Sequence, residues 1–408
     1  MTTPTIQQNE THLTMPGFAT AHSHAFQRAL RGRTQRRAGS FWSWRGLMYE
    51  LVEKLSPEDV FNISRLAFAE LTMSGVTAVG EFHYVHHQLG GQPYEERITL
   101  AESVIQAAKA VGIRITLIRT AYLRGGYQQP MTPAQQRFSD SSLDPILQDV
   151  ETINNRYAKD SLVQVALAAH SIRAVPKEQV VELADYAKTH TMPLHMHVAE
   201  QRREIEECVW EYNARPVEVL AEAGVLSPTF VAIHATHLSL GEIAAFGDNQ
   251  AMICLCRTTE RDLGDGLPET ASLIEAGAKI CVGVDSHATS DAFEEIRAVE
   301  LDDRSRTETR TTAAEAPALL QMATENGYQA MGFTDEWQQD QVTLRAADPS
   351  LIGISSDLLA DAVIFGATPR AVDTVTVNGQ TIVEGGIHRN YDEIRQGYMT
   401  TMKNLGLL

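Results

Sequence analysis

The sequence predicts an α/β protein whose main body is a (β/α)8 TIM barrel, with a small β appendage contributed by the chain ends. Three observations carry that reading. Short apolar runs rich in β-branched residues recur along the chain, each followed by a helix-length amphipathic stretch, the rhythm of a parallel sheet built from βα units. Eight such runs occur, and their polar residues gather at the C-terminal ends, where a barrel of this kind carries its chemistry. A Gly-x-Gly-x-x-Gly turn, the mark of an open doubly wound sheet, is missing from the chain.

In chain order the runs are 16–24 (PGFATAHSH), 76–83 (VTAVGEFH), 113–122 (IRITLIRTAY), 162–170 (LVQVALAAH), 193–200 (PLHMHVAE), 230–237 (FVAIHATH), 251–256 (AMICLC) and 280–287 (ICVGVDSH). Helical patterns lie between them at 56–74, 94–111, 176–190 and 267–277, the last ended by Gly277. The barrel is therefore expected to occupy 16–332. After Gly332 the rhythm breaks, and 358–365 (LLADAVIF) and 374–383 (TVTVNGQTIV) read as strands, the second with an Asn378-Gly379 hairpin turn. Residues 1–15 and 333–408 should form the appendage, its N-terminal part short, with a C-terminal helix. Residues 25–54, which carry Trp42, Trp44 and Arg45, read as a long loop without secondary structure, the type that serves as a lid or binding loop. The run 302–310 (DDRSRTETR) reads as a solvated face.

Composition narrows the function classes. With 408 residues, 43% hydrophobic and 21% charged, the chain has the make-up of a globular enzyme and the length for one large barrel. A net charge of -18, from 34 Lys+Arg against 52 Asp+Glu, argues against a nucleic-acid partner. The same field opposes an anionic substrate, so a dicarboxylate ligand would need a few arginines to make a local positive site. Cys208, Cys254, Cys256 and Cys281 form no CxxC pair and read as buried free thiols. The polar start MTTPTIQQNETHL lacks the parts of a signal peptide, and no apolar run reaches the roughly 18 residues of a membrane span. The expectation is a cytoplasmic protein with a small-molecule substrate and no membrane partner.

The chemistry-bearing residues sit at strand ends. In His22-Ser23-His24 the period of two points both imidazoles to one face, where two nitrogens can reach one cation. Taken alone, such a pair is as readily one loop and one packed histidine. The fifth run adds His195, His197 and Glu200, the sixth His234 and the eighth Asp285. Each of these separately reads equally well as a satisfied buried or rim polar group. Their recurrence at four C-terminal strand ends supplies three imidazoles and a carboxylate for a metal, with a further Glu and His for proton transfer.

This set resembles the amidohydrolase superfamily, in the branch that holds a single metal. The resemblance implies His22, His24, His197 and Asp285 as ligands, with Glu200, His234 and Asp285 as catalytic groups. His195 shares a strand face with His197 and is a rival ligand, but Glu200 follows His197 at the superfamily's HxxE spacing. The N-terminal and C-terminal strands would then join in a small β-sandwich. A narrower resemblance, to the formimidoylglutamate deiminase family, lies in His22-Ser-His-Ala-Phe-Gln-Arg28, His170-Ser-Ile-Arg173, His197-Val-Ala-Glu-Gln201, Arg215-Pro-Val-Glu218, His234-Ala-Thr-His237, Thr258-Thr-Glu260, Leu263-Gly-Asp-Gly266 and Asp285-Ser-His287.

That resemblance implies hydrolytic deimination of N-formimino-L-glutamate by a metal-activated hydroxide, as in histidine degradation, with substrate held by Gln27, Arg45, Tyr84, His170 and Arg173. Two arginines can fork onto two carboxylates, which meets the need for a local positive site. Read without it, Arg45 is a loop arginine, Arg173 a rim salt bridge, Tyr84 a packing residue and Gln27 a cap. The chain departs from the family pattern in its short N-terminal segment, at Arg257, where proline is expected, and at Arg261-Asp262. An arginine at position 257 should stand at the barrel mouth and bear on substrate choice. One divalent metal is implied, zinc by resemblance, although three histidines and an aspartate also accept iron or manganese. A homodimer is expected. The alternatives are a deaminase of the same superfamily acting on a guanidino acid or nucleobase, and a catalytically silent barrel.

Overall fold

In the computed structural model, which describes residues 4–35, 39 and 41–408, the eight runs become eight parallel strands. They are β1 (Phe18–Ser23), β2 (Val76–His83), β3 (Arg114–Ala121), β4 (Val163–Ser171), β5 (Leu194–Val198), β6 (Phe230–His234), β7 (Met252–Leu255) and β8 (Lys279–Val282). Each pairs with its neighbour in the chain, in the order β8-β7-β6-β5-β4-β3-β2-β1. The ring is joined just beyond β8, where Asp285 N donates to His22 O at 3.0 Å and His24 N donates to Asp285 O at 2.9 Å. This seam is close-packed: a Cβ on Gly283 would lie 2.6 Å from the Cβ of His22, so only glycine fits there. Every residue of β2 and β3 is buried, because helices cover one face and the barrel interior the other, which is why these strands read as unbroken apolar runs.

The helix after β1 and the one that follows it have local causes. Helix α1 (Phe41–Val52) buries Met48, Leu51 and Val52. Its end is held by the buried Arg137, whose guanidinium binds Val52 O, Leu55 O at 3.0 Å and His87 O at 2.8 Å. Helix α2 (Pro57–Met73) begins on a capping box: Asp59 N donates to Ser56 Oγ at 3.2 Å, Ser56 N to Asp59 Oδ2 at 3.0 Å, and Pro57 occupies the first turn. Among the described residues no helix is long and apolar enough to cross a membrane. All four cysteines are buried and free.

The chain ends form a separate six-stranded antiparallel sheet in the order Gln7–Gln8, His12–Pro16, Gln341–Arg345, Val372–Val377, Gln380–Glu384 and Ile387–His388. The hairpin turn falls at Asn378 (φ 49) and Gly379 (φ 73), both left-handed as a two-residue turn of this type requires. A buried ion pair ties this sheet to the barrel, with Arg114 Nε 2.5 Å from Asp340 Oδ2 and Asn378 N donating to Asp340 Oδ1 at 2.8 Å. Helix Tyr391–Asn404 follows the last strand.

Three readings of the sequence are corrected. The run 358–365 is no strand: Leu359–Gly366 is an α-helix that buries Leu359, Val363 and Ile364 on one side. A short apolar run fits a buried helix as well as a strand, and its two alanines favour the helix. The stretch 25–54 is not structureless, since it holds the 3-10 turn Ala25–Leu30 and α1. In the run 302–310, Asp303 is fully buried and accepts from Ala271 N at 3.2 Å, so that face is only partly solvated.

Candidate active site

The C-terminal ends of the strands bring the polar groups together. His22 is fully buried, and neither of its ring nitrogens has a hydrogen-bond partner among the described residues. His24 and His197 each spend one nitrogen on a carbonyl: His24 Nδ1 lies 3.0 Å from Phe82 O, and His197 Nδ1 lies 2.8 Å from His170 O. That leaves Nε2 of both rings for the interior. Asp285 Oδ1 stands 3.4 Å from His22 Nε2 and 3.4 Å from His24 Nε2. Ligand atoms of His22, His24 and Asp285 lie within 4.8 Å of one another, as do those of His22, His197 and His234. Burial holds His22 and His197 well below the usual histidine range and brings His24 to about 3, so these rings are neutral, the form that ligates a metal. Orphaned nitrogens, neutral imidazoles and a converging carboxylate fit a divalent cation.

His195 is set apart. Its Nε2 lies 2.9 Å from Ala330 O, and it belongs to none of the clusters close enough to share a metal.

Beyond this cluster stand Glu200 and His234. Both follow from left-handed backbone at strand ends: Ala199 (φ 51) turns the chain after β5, and His234 (φ 69) and Ala235 (φ 51) turn it after β6. Such conformations cost non-glycine residues free energy and cluster at functional sites. Asp285 (φ 52) and His287 (φ 55) repeat the device after β8. His234 Nε2 lies 3.9 Å from Glu200 Oε1 and 3.8 Å from Asp285 Oδ2, and its Nδ1 is 3.3 Å from Glu260 Oε1. Burial raises Glu200 to about 8 and Asp285 to about 6. Burial works against a charged His234, but the surrounding Glu200, Glu260 and Asp285 outweigh it and raise the ring to about 10.

These groups open into a small cavity that communicates with solvent. Its lining includes Gln27, Arg45, Tyr84, His170 and Arg173 together with His24, His197, Glu200, His234 and Asp285. Of the residues singled out from the sequence, the buried His22 and His195 and the buried Arg257 do not line this cavity. Gln27 Nε2 donates to Tyr84 Oη at 2.9 Å. Arg45, from α1, donates to Tyr49 Oη at 2.5 Å, with its guanidinium carbon 5.0 Å from that ring's centroid. Arg173 is only 7% exposed, yet its guanidinium has no hydrogen bond or ion pair among the described residues. His170 beside it is kept neutral by burial and by the Arg173 charge.

Sequence reasoning missed several neighbours. Tyr49 and Phe138 also line the cavity, and they come from α1 and the loop after β3, where no strand periodicity points inward; Tyr122, the last residue of the third run, lines it as well but was given no role. Glu81 accepts from Ser23 Oγ at 2.6 Å and from Ala25 N at 2.8 Å, bracing the turn that carries His24, and Ser23 Oγ is 2.9 Å from His287 Nε2. The period of two within β2 places Glu81 on the same face as His83 and was the available signal. Arg257 is corrected outright: it is not at the barrel mouth but fully buried, with Nη2 donating to Thr270 Oγ1 at 2.8 Å.

Residues 13–382 match the model of the amidohydrolase family. The chain is similar to the formimidoylglutamate deiminase of Pseudomonas aeruginosa, 32% identical over 96% of this chain and 89% of that protein. It is also similar to the 5-methylthioadenosine/S-adenosylhomocysteine deaminase of Acetivibrio thermocellus, at 26% identity over 93% and 83% of the two chains. Among solved structures, an amidohydrolase from Brucella melitensis superposes with a TM-score of 0.90 at 30% identity, covering 96% of this chain and 89% of that one.

Proposed function

The chain belongs to the amidohydrolase family, and from that premise we propose that it is a metal-dependent deiminase that converts N-formimino-L-glutamate to N-formyl-L-glutamate and ammonia. The observation that carries this reading is the pair Arg45 and Arg173 on the cavity that Glu200, His234 and Asp285 also line. In a chain of net charge -18, a buried guanidinium that makes no hydrogen bond or ion pair among the described residues keeps its donors free for the anion of a ligand. A substrate with two carboxylates answers both arginines, and its neutral end then reaches the catalytic groups. A purine would leave the donors of Arg173 unused.

In this reading His22, His24, His197 and Asp285 hold one divalent cation, zinc in our assignment. When bound, the cation supplies Lewis-acid polarisation and lowers the pKa of water at the site towards neutrality. The chain's own groups do the rest. Arg45 and Arg173 anchor the glutamyl carboxylates, and Gln27, Tyr84 and His170 border the path between those carboxylates and the formimino carbon. Asp285, raised to about 6 by burial, accepts the proton of the attacking water at its carboxylate. His234 Nε2 donates to the oxygen that gains charge as the formimino carbon becomes tetrahedral. Glu200, raised to about 8 by burial, carries a proton at neutral pH and delivers it to the terminal nitrogen, and the water proton held by Asp285 then restores Glu200. As the C–N bond breaks, the hydroxyl proton of the tetrahedral centre passes through Asp285 to the same nitrogen, so that ammonia leaves and the formyl C=O forms. The test is turnover of formiminoglutamate by the metal-loaded protein against a panel of guanidino acids and nucleobases. Preference for a member of that panel would overturn the assignment.

A further inference from the structure

Arg257 and Glu260 lie on the short helix Arg257–Leu263 that follows β7. Both are fully buried and neither lines the cavity. Glu260 Oε1 accepts from Cys256 N at 2.9 Å and lies 3.3 Å from His234 Nδ1. Its other oxygen lies 3.5 Å from Arg257 Nη1, while Arg257 Nη2 is fixed on Thr270 Oγ1 at 2.8 Å. Guanidinium, carboxylate and imidazole therefore form one chain that ends on the side of His234 away from Glu200 and Asp285. A carboxylate wholly removed from water needs a counter-charge and a fixed set of donors to stay in place. A hydrogen bond at one imidazole nitrogen decides the direction and tautomer presented by the other.

We propose that Arg257 is a positioning residue that holds Glu260 against His234 Nδ1 and thereby fixes His234 with Nε2 aimed between Glu200 and Asp285. The inference rests on the reading of this cavity as the reaction site and adds the residue that aligns it.

The experiment uses the full-length, metal-loaded protein with Arg257→Met, Arg257→Lys, Glu260→Gln and the double variant Arg257→Met/Glu260→Gln. It measures kcat and KM for N-formimino-L-glutamate, bound metal, thermal midpoint, and the downfield proton NMR signal of the His234 Nδ1–H, identified by its loss in His234→Asn. Arg257→Met should lower kcat by about 10- to 100-fold, the scale of a misaligned catalytic group, with KM and bound metal unchanged. Arg257→Lys should restore most of the loss. In the Glu260→Gln background Arg257→Met should add no more than about twofold, because linked residues are not additive. The Nδ1–H signal should shift in Arg257→Met.

Wild-type kcat in Arg257→Met, the same fold-loss in both backgrounds, or a loss that follows metal content or thermal midpoint would overturn the inference. Should Arg257→Met not fold, Glu260→Gln decides: wild-type kcat with an unshifted signal rejects the chain. Should the wild type ignore formiminoglutamate, the proposed function fails by itself. The NMR arm still tests Arg257, since an unshifted signal in Arg257→Met rejects its role.

Discussion

Replacing Arg173 by Met separates a substrate-binding role from a structural one. The side chain is 7% exposed and has no ion pair or hydrogen bond among the described residues, while the nearby Tyr122, Glu204, Tyr49 and Glu200 offset its burial through space. Truncating one partner of a buried charge pair costs about 2 to 5 kcal/mol, and at about 1.36 kcal/mol per decade the expected loss in kcat/KM for formiminoglutamate is about 30- to 5,000-fold. Stability should change little, because the substitution breaks no hydrogen bond or ion pair and removes together the desolvation cost of the cation and its through-space attraction to Glu204 and Glu200. Arg114→Met is the contrast. It breaks the Arg114–Asp340 pair, whose side chains are 1% and 0% exposed, and should cost about 3 to 5 kcal/mol of stability. The assay follows ammonia release from formiminoglutamate and from an uncharged formamidine, with thermal midpoints measured alongside. The formamidine, used poorly by wild type, should be little affected by Arg173→Met or Arg45→Met. Equal loss of both substrates, or a fall in midpoint like that of Arg114→Met, would refute the reasoning and return Arg173 to the fold.

His197→Ala should remove bound metal and activity together, while wild type should hold one divalent metal per chain by elemental analysis; an essential metal pair would contradict the ligand set. Glu200→Gln should keep the metal and lose at least about 100-fold in kcat, since an amide preserves shape but moves no proton. Because burial raises Glu200 to about 8, its donating form predominates below that pH. The wild-type kcat should therefore fall as pH rises through about 8, and Glu200→Gln should lack that fall.

What could be read in the sequence was set by periodicity. His22, His24, His197, His234 and Asp285 stand at strand ends, where a period of two and a common C-terminal rim leave little choice of direction. Helix α1 was hidden because Gly46 and the cluster Phe41, Trp42 and Trp44 blur its amphipathic pattern, so Arg45 was located by resemblance rather than by a face. Tyr49, on the same helix, gave no signal, whereas Tyr122 stood at the end of the third run without being assigned a role. Arg257 was placed at the mouth from its position after β7, yet the chain enters a helix at that residue and carries the side chain to Thr270. Leu359–Gly366 shows the same limit, for a short, mostly apolar run fits a strand or a buried helix until its neighbours decide.

The central claim concerns which bond breaks. Water added to the formimino carbon gives a tetrahedral centre with two nitrogens, and both leaving groups are amines, so intrinsic basicity discriminates little. In the proposed pose the glutamyl carboxylates sit on Arg45 and Arg173, which would set the formimino end against Glu200 and direct its proton to the terminal nitrogen. Product NMR on the purified, metal-loaded protein tests this directly. N-formylglutamate with stoichiometric ammonia is the expected result; free glutamate and formamide as primary products would contradict both the pose and the role of Glu200.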